Sequence, residues 1–189
     1  EEEIRAQFEV NFFAPTLLTQ ELLPQLRKQK GIVINISSVF GFLTWPLSSV
    51  YCASKYALEG LTESLRQELQ PYGVRVALIE PGSYRTSLME NLRWGSKKIK
   101  EDSVYKVETQ QYKNLREQMK QEIIFSTNDV ANLALEIAQK NSPPLRVQAG
   151  KGIGLMYRLT RLFPQWIGNS FMNWLARLAF RKTARKLPK

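Results

Sequence analysis

Apolar residues follow two different spacings along the first 150 residues of the chain. Residues 3–28 carry them at intervals of three, four and six, which predicts one long helix with a single apolar stripe. This stripe consists of Ile4, Phe8, Phe12, Leu18, Leu22 and Leu26. Pro15 interrupts the helix, and because proline has no N–H, the carbonyl of Asn11 loses its partner four residues later.

Two short runs are almost continuously apolar instead, at Gly31–Ser37 and Val74–Ile79. Runs of this kind are typical of strands buried on both faces of a parallel sheet. Between them, Ser49–Gln70 has helical spacing and ends at Pro71, so it predicts the helix that connects two parallel strands.

The pattern repeats once more after a long polar segment. Ser126 and the polar residues after it can cap a helix over Val130–Gln139, because their side chains accept from the free N–H groups of a first turn. A short final strand is predicted at Pro143–Val147. Strands that alternate with helices predict an α/β fold, a Rossmann-like doubly wound parallel sheet that is partial here.

Composition adds a charge asymmetry to this picture. The chain has 189 residues, enough for one domain with a real core, and a net charge of +10. From Gln139 onward there are 11 basic residues and no acidic one. Cys52 is the only cysteine, so the chain cannot form an internal disulfide, and no run of 18 apolar residues predicts a transmembrane helix.

The candidate chemistry is a serine, a tyrosine and a lysine around the start of the second helix. Tyr51 and Lys55 are four residues apart, so they project from one helix face, and Ser38 lies thirteen residues upstream of the tyrosine. An ammonium beside a phenol favours the phenolate, which predicts a lowered pKa for Tyr51. This set suits the movement of a proton on and off an alcohol or carbonyl oxygen.

Three stretches around these residues, GIVINISS, YCASKYALEGLTESLRQEL and VRVALIEPGSYRT, resemble the short-chain dehydrogenase/reductase family. The motifs are most similar to those of its steroid and retinol dehydrogenase branch. The resemblance implies that Asn11, Ser38, Tyr51 and Lys55 are the catalytic residues. In this family an Asn 27 residues before the Ser holds a water that connects to the Lys, and Asn11 has that spacing.

The same resemblance implies a nicotinamide cofactor, NAD or NADP, and no metal ion. The cofactor-binding residues it implies are Tyr51, Lys55, Pro81, Gly82, Ser83 and Thr86. Ser83 departs from the usual Val or Ile at its position, so its contact with the nicotinamide is an open point. The chain has no G-x-G-x-x-G stretch, and we expect the N-terminal part of the cofactor site to lie upstream of Glu1.

The implied reaction is hydride transfer to or from an apolar secondary alcohol or ketone, such as a steroid, retinoid or lipid. Residues 87–125 correspond to the family's variable lid, and the substrate pocket is expected to include Phe40, Phe42, Trp45 and Met89. Two alternatives stay open. One is a 3-oxoacyl reductase whose acidic carrier protein is attracted by the basic tail, and the other is a non-catalytic membrane-associated binding protein. The family also implies a homo-oligomer.

Residues 151–189 form a basic tail beyond the domain at 1–150. Its apolar positions are Leu155, Leu159, Leu162, Trp166, Met172, Leu175 and Leu178, and arginines and asparagines occupy another side. A basic amphipathic helix suits an anionic membrane surface, but a helix packed on its own core has the same pattern. The sequence predicts a cytoplasmic protein, with or without peripheral membrane attachment, and offers no motif for nucleic acid.

Overall fold

The computed structural model contains a three-stranded parallel sheet in the order β1-β2-β3. The strands are β1 (Ile32–Ile36), β2 (Arg75–Pro81) and β3 (Arg146–Ala149). The residues described are 1–84, 103–107, 109–114, 126–162, 170, 173–174 and 177. The sheet is small, but its parallel strands and intervening helices confirm the predicted Rossmann-like α/β fold.

Helices connect the strands in the order that the sequence predicts. They are α1 (Glu2–Phe8), α2 (Ala14–Gln29), α3 (Ser49–Leu69), α4 (Thr127–Gln139) and α5 (Ile153–Leu162). A π-helical turn, Glu9–Phe13, joins α1 to α2, and short 3-10 turns lie at Val39–Gly41 and Gln70–Tyr72. The cap of α4 is confirmed, because Ser126 accepts from the N–H of Asn128 and Asp129 accepts from the N–H of Ser126.

The sheet has a separate hydrophobic core on each face, as a doubly wound fold requires. One face carries Ala77 and Ile79 of β2 and packs against α4 through Ile137. The other face carries Val33 and Val76 and packs against α2 and α3, using Leu23, Leu26, Leu65 and Leu69. Successive strand residues point to opposite faces, so alternate residues of β2 serve the two cores.

The single apolar stripe predicted over residues 3–28 is wrong in two respects. The π-helical turn interrupts the α-helical spacing, so the register of residues before it is not continued after it. Ile4, Leu18 and Leu22 are 51%, 62% and 46% exposed, whereas Leu26 packs on the sheet. The first helical segment, which is α1, the π-helical turn and α2 together (residues 2–29), therefore presents an apolar face away from the core of this chain.

Two predictions for the strands also need correction. Burial on both faces holds for β2, where Val76, Ala77, Leu78 and Ile79 are almost completely buried, but Ile36 at the end of β1 is 43% exposed. Within the described part of the chain, β1 pairs with β2 along one edge. The last strand begins at Arg146 rather than Pro143, because the two prolines before Leu145 have no N–H to give to a ladder.

No helix among the described residues is long and apolar enough to cross a membrane. Within the basic tail, α5 lies against the turn that follows β2. Ile153 at its start is in contact with Gly82, so that a Cβ added to the glycine would lie 2.9 Å from the isoleucine Cδ1. Of the apolar positions predicted for the tail, Leu155, Leu159 and Leu162 lie on α5. The others, Trp166, Met172, Leu175 and Leu178, lie outside the described residues.

Candidate active site

Two of the four predicted catalytic residues, Tyr51 and Lys55, lie in the first two turns of α3. Tyr51 and Lys55 are one turn apart, and the Lys55 side chain reaches the carboxyl end of β1, where Nζ donates to the carbonyl of Ile36 across 2.9 Å. The same Nζ lies 5.9 Å from the centroid of the Tyr51 ring. An ammonium and a phenol therefore share one end of the parallel sheet, where ligands bind in open α/β folds.

Ser38 is positioned by the turn that follows β1. Its side chain accepts from the N–H of Phe40 across 3.2 Å and caps the 3-10 turn Val39–Gly41. The residue is 7% exposed, and its hydroxyl is near enough to the Tyr51 phenol to lower the pKa of that group. The structure thus brings together Ser38, Tyr51 and Lys55, which are separated by seventeen positions in the sequence.

The lowered pKa predicted for Tyr51 is wrong for this structure. Burial raises the pKa of the Tyr51 phenol, and the hydrogen bond from Ser38 offsets this only in part. Burial also lowers the pKa of Lys55, while the charge of Glu59 raises it. The physical reason is that the lysine ammonium is held by a main-chain carbonyl rather than by the phenol, so desolvation is the largest influence on the tyrosine.

Asn11 lies in the π-helical turn and faces α3. Its Nδ2 donates to the Ser54 hydroxyl across 3.0 Å, and Ser54 in turn donates to the carbonyl of Tyr51 across 2.8 Å. Ser54 is fully buried, so this chain of bonds connects the π-helical turn with the backbone of Tyr51. The role of Asn11 in holding a water stays a prediction.

Sequence reasoning missed Ser54, although its position between Tyr51 and Lys55 is visible in the sequence. It lies one residue before Lys55 and three after Tyr51, on the helix predicted over Ser49–Gln70. A buried hydroxyl on such a helix needs a hydrogen-bond partner, and that requirement was the available signal. A cluster of charged residues next to Lys55, formed by Glu59, Glu80 and Arg146, was also missed.

The turn after β2 contains three of the predicted cofactor-binding residues. Pro81 ends the strand, and the N–H of Gly82 donates to the carbonyl of Ala149 across 2.9 Å. Ser83 is exposed. This turn lies at the carboxyl end of β2, the same end of the sheet as Ser38 and Lys55, whereas Thr86 lies outside the described residues.

The four residues predicted for the substrate pocket have different surroundings. Phe40 packs edge-to-face on Tyr51, with ring centroids 6.0 Å apart, and so lies directly against the proposed acid. Phe42 packs instead against Tyr157 of α5, with centroids 5.2 Å apart. Trp45 is half-buried in the following turn, and Met89 lies outside the described residues.

One described part of the predicted lid reaches the catalytic helix. The hydroxyls of Tyr112 and Ser48 are 2.9 Å apart, and Ser48 immediately precedes α3. Thr109 in the same short helical stretch is 5% exposed. Part of the predicted lid is therefore in contact with the catalytic helix, just before Tyr51.

Comparison with known proteins agrees with this geometry. The profile of the family described as short chain dehydrogenase matches residues 1–97, which contain Asn11, Ser38, Tyr51 and Lys55. The chain belongs to this family. Uncharacterized oxidoreductase YusZ of Bacillus subtilis (strain 168) is 40% identical over 168 residues, which are 86% of this chain and 59% of that protein.

Two further short chain dehydrogenase relatives extend the comparison. Human retinol dehydrogenase 16 is 32% identical over 178 residues, 89% of this chain and 56% of that protein. A short-chain dehydrogenase from Streptomyces avermitilis, solved as a crystal structure, has a TM-score of 0.67 and 28% identity, and the match covers 100% of this chain and 64% of that one. The chain spans less than two thirds of the length of these relatives.

Proposed function

We propose that the protein containing this chain is an NAD- or NADP-dependent oxidoreductase that interconverts an apolar secondary alcohol and the corresponding ketone. The observation that supports this most is the meeting of Ser38, Tyr51 and Lys55 at the carboxyl ends of β1 and β2. When bound, the cofactor supplies the hydride chemistry, and the protein supplies position and proton transfer.

The residues at this end of the sheet have the chemistry that such a cofactor needs. Lys55 carries an ammonium with three donors, which suits the hydroxyls of a ribose, and it is anchored at Ile36. By resemblance to the family, Tyr51, Pro81, Gly82 and Ser83 are the residues proposed to contact the nicotinamide end. Thr86 belongs to the same proposal by resemblance alone.

Tyr51 is the proposed proton donor in the direction of ketone reduction. Burial raises the pKa of its phenol, so the group is neutral near pH 7 and carries the proton that a developing alkoxide must receive. Ser38 lies beside the same phenol and orients the substrate oxygen next to it. Asn11 acts through Ser54 on the backbone of Tyr51, and this position is also suitable for the proposed water link to Lys55.

An apolar substrate is supported by the aromatic loop and by one relative. Phe40 lies against Tyr51, so a substrate carbonyl that reaches the phenol also contacts a phenyl ring. The retinol dehydrogenase relative acts on an apolar alcohol by its name, and we extend that class to this protein as steroid-, retinoid- or lipid-like. A 3-oxoacyl substrate is the competing class.

We propose that α5 attaches the protein to an anionic membrane surface. Ile153 and Tyr157 hold the helix to the catalytic part, while Leu155, Leu159 and Leu162 on other sides are 64%, 44% and 77% exposed. Arg158 and Arg161 accompany these leucines on the same short helix. Exposed leucines beside arginines provide both apolar burial and attraction to anionic lipid.

We further propose that the protein forms a homo-oligomer through the first helical segment. Val10, Phe13, Leu18 and Leu22 are between 46% and 71% exposed, and Tyr56 of α3 is 43% exposed. An apolar surface on these helices is typical of a protein interface. A second copy of the chain is the occupant implied by the family.

The proposed function is tested with the whole purified protein. NADH and NADPH are each mixed with a panel of retinoid, steroid and long-chain ketones and with a 3-oxoacyl thioester, and the cofactor absorbance is followed. Turnover of an apolar ketone supports the proposal, and preference for the thioester supports the competing class. Absence of turnover with every pair of reactants contradicts both.

A further inference from the structure

A buried cluster of charged groups connects three elements beside the candidate active site. Glu59 of α3 is 5% exposed, Glu80 of β2 is fully buried, and the side chain of Arg146 on β3 is 11% exposed. Arg146 Nε lies 3.1 Å from Glu59 Oε2 and 3.4 Å from Glu80 Oε1. Two ionised carboxylates and one guanidinium would leave an excess negative charge in a dry site, which is costly.

A single proton shared by Glu59 and Glu80 would remove this excess negative charge. Oε1 of Glu59 and Oε1 of Glu80 are both buried and, within the described part of the chain, neither has a hydrogen-bond partner. Both carboxylates approach the same atom, Arg146 Nε, so a proton shared between them would give these unpartnered oxygens a donor. Gln148 Nε2 donates to the other oxygen of Glu80 across 2.6 Å, so the second oxygen is already satisfied.

The cluster adjoins three parts of the candidate site, namely Lys55 and the turns after β1 and β2. Glu59 lies one helical turn after Lys55, and its charge favours the ammonium form of that lysine. Glu80 directly precedes Pro81 and Gly82 of the turn after β2. The turn after Ser38 also lies close to Glu59, since a Cβ added to Gly41 would be 2.7 Å from Glu59 Oε1.

We propose that Glu59 and Glu80 are positioning residues that share one buried proton and, with Arg146, fix α3 against the sheet and keep Lys55 charged. The inference rests on the proposed oxidoreductase function, since Lys55 serves the reaction only there. The cluster acts through Lys55 and through the two turns, and none of its members is required to touch the substrate.

The other charged and titratable groups around the cluster are few among the described residues. Glu63, one turn further along α3, lies 3.2 Å from Arg146 NH2 and its side chain is 49% exposed. Tyr157 of α5 faces Arg146 and favours its charged form. Glu63 bonds the same arginine from the solvent side, so it provides a matched control for Glu59.

The first test compares the pH profiles of Glu59→Gln and Glu63→Gln in the whole protein. Burial lowers the pKa of Lys55 and the charge of Glu59 raises it, so loss of that charge makes the lysine lose its proton at lower pH. The alkaline limb of kcat/KM for ketone reduction is expected to move down by at least about 0.5 pH unit in Glu59→Gln. In Glu63→Gln the limb is expected to stay where it is in the unmodified protein.

The second test uses the melting temperature and does not depend on turnover. The pKa of Glu80 is raised from 4.5 to about 7, mainly by burial and in addition by the neighbouring Glu59. Between these pH values the unfolded chain has lost a proton that the folded chain keeps, so stability falls as pH rises through about 7. Glu80→Gln cannot ionise, and its melting temperature relative to the unmodified protein is expected to rise from about pH 5 to about pH 7 and then to level off.

The pH profile and the melting temperature test two different claims, the role of the cluster toward Lys55 and the presence of the shared proton. If Glu59→Gln reduces kcat/KM by one factor at every pH with no shift of the limb, the residue is only structural and the positioning role is overturned. A constant difference in melting temperature between Glu80→Gln and the unmodified protein overturns the shared proton. If the unmodified protein has no turnover, the oxidoreductase proposal and the role toward Lys55 both fail, while the melting experiment still decides whether the proton is shared.

Discussion

Lys55 Nζ donates a hydrogen bond to the main-chain carbonyl of Ile36 across 2.9 Å. Ile36 is the last residue of β1, and Ser38 follows it by two positions. The bond therefore fixes the catalytic helix relative to the turn that carries the serine, and it does so with the side chain that is proposed to hold the cofactor. The same contact explains why the ammonium lies 5.9 Å from the centroid of the Tyr51 ring rather than on its hydroxyl.

Ser38→Ala is expected to lower kcat/KM for ketone reduction about 100-fold, because one positioned donor near the reacting oxygen is lost. It also removes the hydrogen bond that lowers the pKa of Tyr51, so the pKa of the phenol rises further. The matched control is Ser37→Ala, whose hydroxyl is buried and has no hydrogen-bond partner among the described residues. Equal losses in the two variants, measured by steady-state kinetics, would contradict the role of Ser38.

Ser54→Ala is expected to destabilise the protein by about 1–3 kcal/mol, because the Asn11 amide and the Tyr51 carbonyl both lose a buried partner. Ser64→Ala on the same helix is the control, since Ser64 is exposed. The free energy of unfolding is measured by urea titration of the whole protein. A Ser54 variant as stable as the Ser64 variant would mean that the Asn11–Ser54–Tyr51 connection contributes nothing.

Much of the fold follows from the sequence, but the polar connections around the site do not. The apolar runs at β1 and β2 and the capping residues of α4 predict their elements, since periodicity and capping are local properties. Glu80, in contrast, directly follows the apolar run of β2, and its partners Arg146 and Gln148 come from β3. The π-helical turn around Asn11 was likewise missed, because apolar spacing alone does not distinguish it from an α-helix.

The pKa of Tyr51 shows why a local motif misleads. Lys55 is correctly placed one turn away, but its ammonium is directed to Ile36, and burial of the phenol then has the larger effect. Sequence spacing gives the face of a helix and not the direction of a long side chain.

Replacement of Leu18 and Leu22 by serine is expected to convert a dimer or tetramer into monomers, because both side chains are exposed and apolar on the first helical segment. The control is Leu135→Ser, since Leu135 is 60% exposed on α4, outside the proposed interface. Mass is measured by light scattering of the whole protein. A monomer before any substitution, or an oligomer that survives both serines, would contradict the proposed interface.

Replacement of Leu155 and Leu162 by serine is expected to reduce sedimentation with anionic vesicles, because these exposed leucines supply the apolar burial. Binding of the unmodified protein should also weaken as salt rises, since the Debye length falls from about 10 Å at 0.1 M to about 3 Å at 1 M. Leu135→Ser again serves as the control. No sedimentation with anionic vesicles, or equal sedimentation with neutral ones, would favour a helix that only packs on its own protein.

The most direct measurement is the turnover of Tyr51→Phe in the whole protein, followed by cofactor absorbance with an apolar ketone. The substitution removes the hydroxyl but keeps the ring that packs edge-to-face on Phe40, so the fold is expected to persist, as a melting temperature will check. Loss of the proton donor predicts a fall in kcat of at least about 100-fold. Near-normal turnover in Tyr51→Phe would contradict the central claim that this phenol transfers the proton.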